Sequence, residues 1–198
     1  MKTFFKSLIG ISLVLITSCG SDGTKSANEV GLQTYSTEKS ELDGKWESPC
    51  DPFIFETSQN HQLEVNQGSF IEHLNYYDGR ECQTLSSTIE FTGYFSLGNT
   101  VQSPANSKEL NLKIATFSSV YHDDKAVKRA NDDKLCGITD WKKGEKRLCS
   151  QTNLIIYQVY KLENDSLWMG QLSKERDGAS ADRRPNTLEK TPMTRSTK

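Results

Sequence analysis

The chain has 198 residues, with 24 basic and 26 acidic side chains and a formal net charge of −2. Its isoelectric point is about 6.0, and charges of both signs are interspersed, whereas nucleic-acid-binding proteins carry a basic stripe. Hydrophobic residues make up 34% and aromatic residues 9%, which suffices for the core of one domain. We therefore predict a single globular domain with no nucleic acid partner.

The first nineteen residues are typical of an export signal. Lys2 and Lys6 accompany an apolar run over residues 7–16, which is well below the ~20 residues that a membrane-spanning helix needs. The run ends in Ile16-Thr17-Ser18-Cys19, which resembles the lipobox of bacterial lipoproteins. An ordinary secretory signal with a chance cysteine is the alternative.

In the lipoprotein family the signal peptide is removed and the cysteine is acylated, for example with palmitate. The resemblance therefore implies a signal peptide over residues 1–18, lipidation of Cys19 and anchoring of the protein in a membrane of the bacterial cell envelope. Gly20, rather than Asp, follows the cysteine. By the rule of enterobacterial lipoproteins this favours the outer membrane, on its periplasmic or surface face.

Residues 19–41 are rich in Ser, Thr, Gly, Lys and Glu without a sustained apolar period. This composition predicts a flexible tether between the lipid and a folded domain over residues 42–190. Residues 191–198 are similarly polar. We predict that they form a disordered tail.

Between these ends, apolar residues alternate with polar ones in short runs, which is typical of β-strands. Strands are predicted over residues 89–95 and 110–114, and a central strand, covered on both faces, over 154–162. No long segment has the apolar stripe of a helix, so helix should be minor. The predicted turns are Asn66-Gln67-Gly68, Asp78-Gly79, Gly98-Asn99, His122-Asp123-Asp124, Lys143-Gly144 and Asn164-Asp165.

Successive antiparallel strands joined by short turns form an up-and-down meander. A meander of about eight strands removes its exposed edges by closing into a barrel. We therefore predict an all-β, antiparallel barrel for residues 42–190.

Four cysteines follow Cys19, an even number in a chain predicted to leave the reducing cytoplasm. Cys136 and Cys149 lie symmetrically about the tight turn Trp141–Gly144, so we predict that they form a disulfide across a hairpin. Cys50–Cys82 then follows by elimination. Zinc is the weaker alternative because the sequence contains no CxxC spacing.

The start of the predicted barrel, Leu42-Asp43-Gly44-Lys45-Trp46, resembles the Gly-x-Trp motif of the lipocalin and calycin superfamily. In that family the Trp closes the narrow end of the barrel beneath a basic side chain from near the last strand. The resemblance implies a lipocalin-like barrel with Trp46 as the plug and Arg183 or Arg184, of which we select Arg184, as the cation. Alternatively, Trp46 is a core aromatic of another sandwich or barrel.

The same segment continues to Cys50, with Tyr77 and Cys82 further along the chain. This pattern resembles the extracellular domain named for adenomatosis polyposis coli down-regulated protein, a lipocalin-like lipid binder. That resemblance covers about forty residues and also implies lipid binding.

Candidate catalytic and metal-binding groups are few. The three histidines, His61, His73 and His122, form neither HxH nor HxxxH, and the acidic clusters at 122–124 and 131–133 lack the spacing of an EF-hand loop. No GxSxG motif is present. We predict no metal site, no cofactor and no enzymatic activity; hydrolase chemistry, including glycosidase chemistry by paired carboxylates, is the weaker alternative.

The leading functional prediction is a module that binds a small hydrophobic or amphipathic molecule in its barrel. Phe55, Phe70, Phe91 and Tyr157 are the predicted lining residues. The alternative is a barrel filled by its own side chains, which acts through its rim as an inhibitor or envelope scaffold.

Trp141 lies beside four cations in the segment between Cys136 and Cys149. An aromatic and basic hairpin tip is suited to contact with a partner protein or with anionic lipid headgroups. The alternative is that Trp141 folds back onto the barrel.

Overall fold

The computed structural model describes residues 38–53 and 56–196. This part of the chain contains nine β-strands, one α-helix and two short 3₁₀ turns, at Leu135–Gly137 and Ala181–Arg183. In chain order the elements are β1 (Gly44–Glu47), β2 (Asp51–Pro52), β3 (Thr57–Asn66), β4 (Ser69–Asp78), β5 (Thr84–Val101), β6 (Ser107–Tyr121), α1 (Asp124–Asp132), β7 (Arg147–Glu163), β8 (Ser166–Met169) and β9 (Met193–Arg195).

The strands form one antiparallel sheet whose hydrogen bonds close into a ring. From β3 to β9 each strand pairs with the next along the chain. β1 pairs with β9 on one side and with β3 on the other, so eight strands complete the ring, and β2 adds a short pairing to β3. The predicted all-β meander with barrel-like closure is therefore confirmed.

The strands that close the ring are much shorter than those on its opposite side. β1, β8 and β9 have three or four residues each, whereas β5, β6 and β7 have 15 to 18. The long strands thus extend beyond the closed part. There the chain between β8 and β9 runs beside β7, where the Tyr157 N–H donates to the Gly178 carbonyl at 2.8 Å.

The predicted strands lie within β5, β6 and β7. Gln158, Val159 and Tyr160 are buried in succession, so β7 is covered on both faces there, as predicted. Five of the six predicted turns lie at the junctions between elements. The turn at Gly98-Asn99 is wrong because the ladder of β5 and β6 continues past these residues through a register shift.

The acidic segments at 122–124 and 131–133 are the two ends of α1, a helix that the sequence analysis missed. Asp123 is the N-cap, and its Oδ1 accepts the Ala126 N–H at 2.7 Å. Ala126 and Ala130, four residues apart, are buried against Tyr121 and Trp141. At nine residues, α1 is held by this packing more than by helix propensity.

Both predicted disulfides are present. Cys50 joins Cys82 and Cys136 joins Cys149. The hairpin expected around the second bond is wrong, because Cys136 lies in the 3₁₀ turn after α1 and β7 begins only at Arg147. The bond therefore fastens the α1 loop to β7.

Trp141, in that loop, is 3% exposed. Its ring contacts Tyr121 edge-on at a centroid distance of 4.8 Å, and its Nε1 donates to the Leu135 carbonyl at 3.2 Å. The alternative, that Trp141 folds back onto the protein, is therefore the one that the structure shows, and a partner at this loop stays a prediction. Trp141 packs with α1 and Tyr121 in a second hydrophobic cluster.

The predicted limits of the domain, residues 42 and 190, need correction at both ends. The Tyr160 hydroxyl donates to Glu41 Oε1 at 2.6 Å, so Glu41 already belongs to the folded domain. Residues 193–195 form β9, which helps to close the ring, so the predicted disordered tail is wrong for residues 191–196. Cys19 lies outside the described residues.

In residues 38–53 and 56–196, the single helix, α1, is too short and too polar to cross a bilayer.

Candidate functional site

Trp46 lies in the buried cluster that fills one end of the closed sheet, with Val65, Phe70 and Phe95 among its members. We call this cluster the floor. Trp46 is 1% exposed, and its Nε1 donates to the Leu42 carbonyl at 2.7 Å. Arg195 lies directly opposite it in the pairing of β1 and β9, with its guanidinium carbon 4.2 Å from the ring centre. A basic side chain over the Trp was predicted, but the choice of Arg184 is wrong.

Arg184 lies on the outer face of the sheet. Its Nη2 donates to Asn111 Oδ1 at 2.6 Å, and its guanidinium carbon is 5.1 Å from the centre of the Tyr157 ring. Ile156 packs against the core, and successive side chains of a strand point to opposite faces. Tyr157 therefore faces outward, and its prediction as a ligand-lining residue is wrong.

Phe70 is inside the sheet but belongs to the filled floor. It is 3% exposed and lies opposite Val65 and Gly93. A Cβ at Gly93 would lie 2.9 Å from Phe70 Cε1, so the ring occupies the space that a side chain there would need. Phe70 is thus a core residue, which corrects its predicted role, and Phe55 lies outside the described residues.

Phe91 is inward and only partly buried. Its ring stacks on Phe117 with a centroid distance of 5.4 Å and an interplanar angle of 17°. Of the four predicted lining residues, Phe91 is the one that the described structure places at the boundary between the packed floor and the rest of the interior.

A row of inward side chains crosses five strands at this boundary. In the order of strand pairing it contains Trp46, Leu63, Glu72, Phe91 and Phe117. Directly paired residues have Cβ atoms about 4.5–5.5 Å apart. Glu72 is therefore a single carboxylate set among aliphatic and aromatic neighbours.

His61, one inward position further from the floor, completes a polar pair with Glu72. Its Nδ1 lies 3.0 Å from Glu72 Oε1. The side chain of His61 is 31% exposed and that of Glu72 is 25% exposed, although both point into the interior of the closed sheet. Solvent-accessible space must therefore lie beside them. Leu74, the inward neighbour that pairs with His61, is 2% exposed, so the accessible space is confined to the surroundings of the pair; we call it the interior pocket.

Surrounding groups set the charge of the pair. Burial by itself would lower the pKa of His61, but the hydrogen bond and charge of Glu72 outweigh it, assisted by the charges of Glu189 and Asp51, and the pKa is raised. Burial raises the pKa of Tyr76 to about 12, with a contribution from Glu72.

Glu189 lies in the chain between β8 and β9, close enough to His61 and Asp51 for their charges to interact. It is exposed to solvent, but the protein around it replaces part of its hydration. This burial, together with repulsion from Asp51, raises the pKa of Glu189 despite the opposing charge of His61. Carboxylates therefore surround the one imidazole of the site.

The role of His61 and Glu72 was not predicted from the sequence, although one signal was present. Glu72 lies between Phe70 and Leu74 in the period-two alternation of β4, and both neighbours are buried. A charged residue at an inward position of a strand is costly unless it is paired or solvated. Such a position points to an interior with polar chemistry.

The other two histidines are on the outer face. His73 Nε2 is 3.1 Å from Glu90 Oε2, and His122 Nε2 is 3.0 Å from Thr88 Oγ1. The fold thus separates them from His61. In the ranges 38–53 and 56–196, no three His, Cys, Asp or Glu side chains come together as a metal site.

A second, shallow cleft of about 520 Å³ lies outside the sheet beside β1. It is lined by Glu47, Ser48, Pro49, Cys50, Asn60, Thr191, Pro192 and Thr194. It lacks an aromatic wall, and its charged lining residue, Glu47, is hydrogen-bonded to Asn60 at 3.1 Å. The interior pocket therefore has the richer chemistry.

Comparison of the chain with protein-family models and with curated proteins finds no match.

Proposed function

We propose that this protein is a lipid-anchored lipoprotein of the bacterial cell envelope that binds a small amphipathic or hydrophobic molecule inside its closed sheet. The observation that carries the proposal is the solvent accessibility of the inward pair His61 and Glu72. Ligand sites combine an apolar lining with a few polar groups that set orientation. Here Phe91 and Phe117 supply the apolar lining, and His61 and Glu72 supply the polar groups.

A barrel filled by its own side chains is less well supported. At the floor, Trp46, Phe70 and Phe95 are each exposed by 4% or less, as expected for close packing. Further along the interior, Leu74 is buried, but the inward side chains of His61, Glu72 and Phe91 keep accessible surface. Inward side chains are thus closely packed at one end of the interior and partly accessible further along it. This difference favours a site that holds a ligand.

The anchor and the location rest on the sequence Ile16-Thr17-Ser18-Cys19, which lies outside the described residues. Membership of the lipocalin-like families is also part of this proposal. It is supported by the eight-stranded ring, by Gly44 and Trp46 at its first strand, and by a cation over the Trp. The absence of enzymatic activity stays a prediction.

Titration tests the binding proposal. The mature chain from residue 19, carrying Cys19→Ala so that no attached acyl chain competes, is titrated with fluorescent fatty-acid and phospholipid probes. Phe91→Trp narrows the pocket and should weaken saturable binding. Tyr94→Trp, an outward and 49% exposed position on the same strand, is the matched control and should leave binding unchanged.

A folded protein that binds none of the probes would contradict the proposal and would favour action through the rim. Equal weakening by both substitutions would show that the probes bind outside the predicted pocket. Circular dichroism and the intact disulfides report that each variant is folded.

A further inference from the structure

We propose that the molecule bound inside the sheet carries a positively charged amine, held between the Glu72 carboxylate and the stacked rings of Phe91 and Phe117. This inference rests on the proposed function and specifies the chemical class of its ligand. It follows from the charges and the aromatic rings that face the pocket.

The charged groups at the pocket are mostly acidic. Glu72 points into it, Asp51 and Glu189 lie close enough for their charges to act on His61, and His61 is the one basic group among them. Among the described residues, the ion pairs place no lysine or arginine on these three carboxylates. A concave site lined by one sign of charge attracts ligands of the opposite sign.

Three basic side chains of the surrounding elements are engaged elsewhere, and Lys190, next to Glu189, is exposed to solvent. Lys146 pairs with Glu90 at 2.8 Å, Arg147 pairs with Asp140 at 2.6 Å, and Arg195 covers Trp46. A ligand carboxylate would therefore enter a negative site without a permanent cation to pair with, which is costly in a partly desolvated pocket. An ammonium group, which only donates hydrogen bonds, matches carboxylates, which only accept them.

The aromatic rings add a second form of amine recognition. Phe91 is paired directly with Glu72 and with Phe117 across the strands, and its ring stacks on that of Phe117. A cation near the face of an aromatic ring is attracted by the quadrupole of the ring. Leu63, on the other side of Glu72, places aliphatic surface next to the same head group, so the amine should adjoin an apolar body.

Three probes with one tail and different head groups test the inference. Dodecylammonium, dodecanol and dodecanoate are titrated below their micelle concentrations into the mature chain carrying Cys19→Ala. We expect dodecylammonium to bind about tenfold more tightly than dodecanol, as one charge-assisted contact provides. Dodecanoate should bind more weakly than dodecanol.

Variants identify the carboxylate that is responsible for the preference for the amine. Glu72→Gln should remove the preference for the amine, measured as the ratio of the dissociation constants for dodecanol and dodecylammonium. Glu64→Gln is the matched control, since Glu64 faces outward on β3 and pairs with Lys45 at 3.3 Å. If Glu72→Gln does not fold, Glu189→Gln, at an exposed position, should reduce the preference for the amine in a folded protein.

The outcomes separate the two proposals. Equal affinity for the three probes, or tighter binding of dodecanoate, would overturn the amine inference and leave the binding function standing. An amine preference that neither Glu72→Gln nor Glu189→Gln alters would also overturn it. Failure of all three probes to bind would overturn the proposed function itself.

Discussion

The guanidinium of Arg195 lies over the ring of Trp46, with its carbon 4.2 Å from the ring centre. The contact joins the last strand to the first, where the two residues are directly paired. Arg195 Nη1 also donates to the Asp43 carbonyl at 2.7 Å. One side chain thus covers the floor and fastens the closure of the ring.

Removal of Trp46 should be costly. Because the side chain is 1% exposed, Trp46→Ala should leave a cavity and lower the free energy of unfolding by about 3–5 kcal/mol. Chemical denaturation measures the loss. Tyr94→Ala, at a 49% exposed position, is the control and should cost much less. A loss below about 1 kcal/mol for Trp46→Ala would contradict its role as the floor.

Gly44 makes room for Arg195. A Cβ there would lie 2.5 Å from Arg195 Nη1, and the φ of Gly44 is +136°. Gly44→Ala should therefore lower the free energy of unfolding more in the native protein than in the Arg195→Ala variant. The difference between the two losses, the coupling free energy of the two residues, should be about 1 kcal/mol or more. Gly144→Ala, where φ is +74° and nothing lies within 4 Å, is the control for a positive-φ glycine without a steric contact. A coupling free energy near zero would show that contact with Arg195 does not account for the need for glycine at position 44.

The disulfides should stabilise the fold according to the loops they close. The sequence separations are 13 for Cys136–Cys149 and 32 for Cys50–Cys82. In the loop-entropy model the paired Ala variants should lose about 3 and about 4 kcal/mol, respectively. Thermal unfolding measures both losses. Non-reducing peptide mapping that links Cys136 to Cys50 or Cys82 would contradict the pairing.

Stability should fall as the pH rises above about 6.5, the ordinary pKa of histidine. The pKa of His61 is raised above its ordinary value of 6.5, so its contribution is complete below about pH 6.5 and is lost as the pH rises through the folded-state pKa. His61→Gln should flatten this slope in denaturation curves. The control is His122→Gln, because burial lowers the pKa of His122 despite the charge of Asp123. An unchanged slope in His61→Gln would contradict the assignment.

Cys19 should carry the lipid anchor. Cys19→Ser removes the thiol that receives the diacylglyceryl group, so the variant should not incorporate labelled palmitate and should leave the membrane fraction. Incorporation of label into Cys19→Ser would show that another site is acylated. Cys50→Ser, outside the predicted lipobox, is the control and should still be labelled.

The sequence by itself determined the strands, most turns, both disulfides and the Gly-x-Trp start, because each depends on local patterns. Period-two alternation identifies a half-buried strand wherever its partner lies, and turn residues act through their own backbone angles. Cys136 and Cys149 were paired correctly although their hairpin was wrong. Nearness along the chain was sufficient for that pair.

The tertiary structure decided what depends on distant partners. Residues 193–195 read as a polar tail, but pairing with β1 and β8 orders them. The same closure brings Arg195, rather than Arg184, over Trp46. α1 is too short to be stable alone and forms against Trp141 and Tyr121. His61 and Glu72 become a site because strand register turns both inward beside Phe91, a relationship that no single segment of the sequence contains.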